Sequence, residues 1–498
     1  MIVRDVKRLS LFTGSILFLI YVGLYLYTSP GVAPTQETGW AELPLAEPKV
    51  GVSDSDQHQE VDVPQEVDVP QEVDVPEDVD VPQEVDRPQE EELSPSSTSD
   101  VSEAPATPAP ISDSNNVLDD TTTNHVVSSN PDNLHQEVFS LSTKDTKFFL
   151  IDFGGVKAMN PNIIPHPTLD NTWIIVAQQV KEISTFFTEI TCNAVFQDDV
   201  LRCLHPPTPL PIAATAGDRC EGELSYMNQI AGPHDARVFF GPNDPYIVFG
   251  SNSIFTCYGQ FFQDFRMLLE WGTEVAVPTD FRLGTELQRP LPWSIMEKNW
   301  FPFWDTAGQM YIHYDIAPKR VFSQISLDGS AGPDLAPLAA SSDEQCLSKY
   351  LPQLPLELES IHQATNSLQI TMCRKKDASC VPDETNAFIF TIVQHKTYYN
   401  YHGVYEPYVV VFHQRAPFEI YAISQKPVWI HGREKHIDRD TSDMFYVTSM
   451  SWKNRSQRYH GYLDDELFIA FGIEDEKAGG IDVLAWDLLQ NLGLCAEV

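Results

Sequence analysis

Two carboxylates stand out by their neighbours. Asp244 lies between Asn243 and Pro245 in GPNDP (Gly241–Pro245), and the proline forces it out of the helical region. Glu297 precedes Lys298, a charge partner that favours the carboxylate form. Acids of this kind give and take a proton at a reacting oxygen. The structural alternatives are an Asx-turn at Asp244 and a plain ion pair at Glu297. Lys298 has the charge to neutralise an anionic leaving group. Asn299 and Trp300 add a hydrogen-bonding amide and an apolar platform, although a core tryptophan carries the same signature.

Further polar residues open or end apolar runs. Asn160 and Asn162 stand in NPN before IIP, and Asp475 ends FGIED (Phe471–Asp475). His313 and Asp315 share one face of a strand about Tyr314, His313 as a channel-lining group and Asp315 as a turn residue. His402 and His460 begin two Tyr-His-Gly segments, which suggests equivalent positions in two repeats; a strand histidine satisfied in the core is the alternative. For a divalent metal the one Asp-x-Asp from position 139 onward is Asp438-Arg439-Asp440, in a charged loop, and metal use stays open. HExxH, GxSxG and Walker patterns do not occur.

These residues sit between short apolar runs such as TWIIVAQQ, DPYIVFGS, QMYIHYDI, AFIFTIVQH, YVVVFHQ and ELFIAFGI. Little of the chain has helical periodicity apart from Ile481 to Leu492, so the expectation is all-β. About 360 residues from position 139 onward suit a five-bladed β-propeller, at roughly 70 residues per blade. Five segments repeat a polar motif, a strand, a turn and a second strand, beginning at Met159, Gly241, Met296, Tyr401 and Tyr459. If each motif opens an innermost strand, the five converge on one funnel.

The motifs NPN, GPNDP, EKNW-PF (Glu297–Phe303) with Tyr314 and Pro318, and FGIED resemble the five-bladed propeller carbohydrate enzymes. Those are the β-mannoside phosphorylases and the related fungal Golgi β-mannosyltransferases. The resemblance implies Asp244 and Glu297 as catalytic acids, with Asn160, Asn162, Lys298, Asn299, Trp300, His313, Tyr314, His402 and Asp475 as sugar-binding residues. Two departures bear on the reaction. Tyr246 replaces the arginine that follows Asp-Pro in the phosphorylases, and Asn160 and Asn162 stand where hydrolases carry an aspartate base.

The N-terminus supplies an address. Arg4, Lys7 and Arg8 precede the 19 uncharged residues Leu9 to Tyr27, which as a helix span about 28 Å, enough to cross a bilayer core. The basic flank puts residues 1–8 in the cytosol and the remainder in the lumen, a type II signal anchor of the Golgi membrane. Residues 28–138 read as a disordered stem with QEVDVP repeats, whose regular prolines and like charges favour an extended spacer. The net charge of −39 is concentrated there: residues 37–138 hold 26 acidic and two basic side chains. Without a basic stripe, nucleic-acid binding is excluded.

Eight cysteines, none in a CxxC pair, suit structural disulfides in an oxidising lumen, with Cys192–Cys203 and Cys373–Cys380 as local pairs. Asn454 begins a glycosylation sequon. Together these lead to an inverting membrane glycosyltransferase moving mannose from a nucleotide sugar, GDP-mannose, to a glycan or glycolipid acceptor. A glycoside hydrolase or phosphorylase on the same propeller is the alternative, and a non-catalytic glycan-binding propeller is another.

Overall fold

The computed structural model describes residues 133–181, 185–269, 280–354, 358–399, 401–436 and 441–497. The expected anchor, most of the stem and Asp438–Asp440 lie outside these. Among the described residues no helix is long and apolar enough to cross a membrane.

The described chain is all-β, in a propeller-like arrangement of five consecutive groups of antiparallel strands. The first strands of the groups are Ala158–Pro165, His234–Phe240, Phe301–Trp304, the interrupted pair Glu359–His362 and Leu368–Thr371, and Phe445–Trp452. These ring strands are largely buried on both faces, so they are rich in apolar residues instead of alternating.

Side chains tie each ring strand to the next. Asn162 donates to the carbonyl of Ala236 at 2.8 Å and accepts from the amide of Val238 at 3.0 Å. Arg237 donates to the carbonyl of Trp300 at 3.2 Å, and Ser367 to that of Pro302 at 2.7 Å. Asn366 exchanges two hydrogen bonds with Met450, at 2.9 and 3.0 Å. Thr448 donates to the carbonyl of Pro161 at 2.6 Å, which returns to the first strand. The circle is closed a second time at its rim, where Phe149–Asp152 adds a strand to Lys477–Leu484 of the fifth group.

Several expectations need correction. Only the segments at Met159 and Met296 contain a ring strand; those at Gly241, Tyr401 and Tyr459 fall on later strands of their groups. Ile481 to Leu492 is the end of a strand followed by the short helix Ala485–Leu488, and an unforeseen helix spans Ala340–Tyr350. Gln136–Val138, within the expected stem, is a strand paired with Val428–Ile430.

All eight cysteines are in disulfides. Cys192–Cys203 and Cys373–Cys380 pair locally, while Cys220–Cys257 and Cys346–Cys495 close longer loops.

Candidate active site

The ring strands start at one end of the ring, and their first residues are distorted there. Asn160, Asp235 and Asn299 have φ of 54°, 49° and 64°. The first, second and fifth ring strands each carry a register shift, at Met159/Asn162, His234/Arg237 and Val447/Ser449. A bulge re-aims a side chain, and Asn and Asp tolerate the left-handed region better than most residues. Such strain concentrates at functional sites.

Asp235 is exposed, but its position is set from below. Its carboxylate accepts from Asn160 Nδ2 at 2.8 Å, and its amide donates to Gln178 Oε1 at 2.9 Å. The next amide, Ala236, donates to Glu189 Oε1 at 3.2 Å. Gln178 and Glu189 are directly opposed residues of the first group. Glu189 is buried, and its carboxyl pKa is pushed well up by burial, with Asp235 adding to the effect.

Asp475 shares this mouth from the turn after the fifth group's second strand, with φ of 53°. Its pKa is raised by partial burial and then by the negative charges of Asp235 and Glu474, against a smaller opposing pull from Lys396. Lys298 and Lys396 supply positive charge. Lys396 is lowered by burial and by Lys298, and His362 is lowered to about 4 by burial and both lysines. Tyr405 and Tyr446 pack with ring centroids 4.7 Å apart, and burial raises both phenols, Tyr405 to about 12. Among the described residues, Asp235, Asp475, Lys298 and Lys396 form no ion pair within 4.0 Å. Charges of both signs, in no ion pair among the described residues, therefore lie within electrostatic reach of one another at this mouth of the ring. They can hold an anion against the lysines and a proton on a carboxyl group.

The structure redistributes the residues singled out from the sequence. Asn160, Lys298, Asn299 and Asp475 belong to this mouth, and Asn299 Oδ1 accepts from Tyr446 at 3.4 Å. Asp244 does not reach it. It follows the far end of the second ring strand, about 17 Å of extended chain from Asp235, and pairs with Arg266 at 2.6 Å. Glu297 is near but turned away and 3% exposed; Arg289, not Lys298, holds it at 2.9 Å and also binds Asp315 at 2.6 Å. Asn162 is a clamp between ring strands.

Trp300, His313 and Tyr314 are core residues. Trp300 packs edge-on against Tyr314, and His313 is bonded to Gln363 and Arg320. His402 and His460 are not equivalent. His402 bonds the carbonyl of Ser442 from the group's third strand, and His460 bonds Thr371 from a short strand parallel to Leu368–Thr371. Asn454 is exposed in an Asx-turn with Ser456. Among the described residues no group of three His, Cys, Asp or Glu is arranged to hold a metal.

Asp235, His362, Lys396, Tyr405 and Tyr446 were not anticipated. The signal for Asp235 was present: HDAR precedes the apolar run VFF, the same polar-then-apolar grammar as NPN before IIP.

No family model matches the chain, and no curated protein does. Solved structures similar to it include a β-1,2-mannobiose phosphorylase from Listeria innocua, at 10% identity over 68% of this chain and 92% of that one, with a TM-score of 0.37. An endo-arabinanase of glycoside hydrolase family 43 from Bacillus licheniformis aligns at 9% identity over 67% and 96%, with a TM-score of 0.32. A thermostable family-43 glycoside hydrolase aligns at 8% identity over 68% and 91%, with a TM-score of 0.31. The glycosyltransferase expectation is corrected. Asp244 and Glu297, on which that expectation rested, are held by different arginines, Arg266 and Arg289, and do not face a common opening.

Proposed function

We propose that the chain is a carbohydrate-active enzyme on a five-bladed β-propeller that cleaves glycosidic bonds in a glycan by phosphorolysis. The observation that supports this is the convergence of Asp235 and Asp475 with Lys298, Lys396 and His362 at the mouth of the ring. Burial and both lysines hold His362 neutral, and Lys298 disfavours the charge on Lys396, a repulsion that a bound phosphate relieves. A phosphate oxygen attacks the anomeric carbon, the bond to the glycosidic oxygen breaks, and that oxygen takes a proton from Asp475. Asp235, fixed by Asn160, stabilises the positive charge that develops on the sugar ring.

Hydrolysis is the second reading, with water replacing phosphate. The full chain with a panel of neutral oligosaccharides, with and without inorganic phosphate, separates them. Sugar phosphate formed only with phosphate supports phosphorolysis, free sugar in both cases supports hydrolysis, and no cleavage of any glycan overturns both. We place the domain in the secretory lumen behind the anchor at residues 9–27, in keeping with the four disulfides.

A further inference from the structure

A second cavity, of about 1130 Å³, lies behind the wall of the mouth. The wall is the long hairpin of Ala387–Tyr399 and His402–His413, whose residues pair Lys396 with Tyr405, Thr397 with Val404 and Tyr399 with His402. Alternation sends Lys396 and Tyr405 to the mouth and Thr397, Tyr399, Val404 and Glu406 to the cavity. The two spaces meet at one turn. Asp475 belongs to the mouth, while Glu474 and Glu476 line the cavity.

We infer that this cavity is a docking site for a neutral oligosaccharide, the remote part of the glycan whose scissile bond lies at the mouth. The inference rests on the glycan-cleaving reading of that mouth. The lining has the chemistry of polyhydroxyl recognition. Glu406 is held by His135 and Arg433 and Asp443 by His436, while Glu474 and Glu476 can accept from sugar hydroxyls, His402 and Ser442 add further polar atoms, and the half-exposed ring of Tyr399 offers a stacking face. Beyond Glu406, which Arg433 pairs, three carboxylates face one lysine, Lys435, among the described lining residues, so the lining stays net acidic and disfavours anionic ligands. That is the reverse of the lysine-lined mouth. Its volume exceeds that of typical small-molecule pockets, which suits a chain of several sugars.

The test is a glycan array of neutral, sialylated and phosphorylated oligosaccharides probed, without phosphate, with the full chain carrying Asp235→Asn, which slows cleavage of bound glycans. Neutral chains longer than a disaccharide are expected to bind, and Tyr399→Ala and Glu476→Gln each to weaken them about tenfold. Tyr399→Phe, which keeps the ring, restores binding and separates stacking from a folding defect. Preference for anionic glycans, binding of none, or binding unchanged by the alanine variant overturns the inference. If the wild-type chain cleaves no glycan but the cavity variants still lose binding, the enzyme reading fails and the docking site stands. If cleavage is found and the variants have no effect on binding, the docking site alone fails.

Discussion

Asn162 is where the ring's construction and a sugar-binding role make opposite predictions. Its side chain is 1% exposed and bridges the first two ring strands through the carbonyl of Ala236 and the amide of Val238. Asn162→Leu keeps the size of the side chain but strands both backbone groups away from water. Each unsatisfied group costs about 1–3 kcal/mol, and the apolar gain of leucine offsets part of it, for a net loss of about 2–4 kcal/mol. Equilibrium urea unfolding followed by tryptophan fluorescence reads this as a lower midpoint at unchanged slope. Glycan affinity should stay within about twofold of wild type, a difference under 0.5 kcal/mol. A stability change below about 0.5 kcal/mol together with lost glycan binding would refute the clamp and restore Asn162 as a sugar ligand.

Three further outcomes follow from the mouth. Lys298→Met and Lys396→Met should each raise the phosphate KM by about ten- to a hundredfold, through loss of a charge-assisted contact of about 1.5–3 kcal/mol; the histidine NMR titration of the Lys396 variant should show His362 rising from about 4 toward its ordinary range. Gly472→Ala would put a methyl carbon 2.7 Å from Asn160 Oδ1, so it should push Asn160 off Asp235 and cut kcat about tenfold, with the far-ultraviolet spectrum unchanged. Because Asp475 acts in its protonated form and its pKa is raised, kcat should fall as pH rises through that pKa; Asp475→Asn should remove this limb along with most of the activity.

Much of the fold was legible because β-strands buried on both faces leave long apolar runs punctuated by turns. The strand that joins the ring was less so. A polar motif before an apolar strand looks the same at either end of a hairpin, and GPNDP is the turn between the first and second strands of its group, not the entry to the ring. Asp235 was missed for the converse reason, since HDARVFF is a short run whose partner strand dominates the pattern. Lys396 sits inside a 13-residue strand, and nothing in VQHKTYY says which face looks toward Asp475. Trp300, His313 and Tyr314 were well placed along the chain and wrongly oriented: residue type tells what a side chain can bond, and only packing tells whether it meets solvent. The local disulfides were readable because closing a loop of seven or eleven residues needs little long-range information.

The central claim, that Asp235 and Asp475 face two lysines across a glycan-cleaving mouth, is tested most directly by one measurement. Mass spectrometry of the products from neutral oligosaccharides with inorganic phosphate, for the wild-type chain and Asp235→Asn side by side, reads bond cleavage and nucleophile together. The account predicts sugar phosphate from the wild type and a loss of about a hundredfold or more in the variant. Cleavage that continues at the wild-type rate in Asp235→Asn would contradict it.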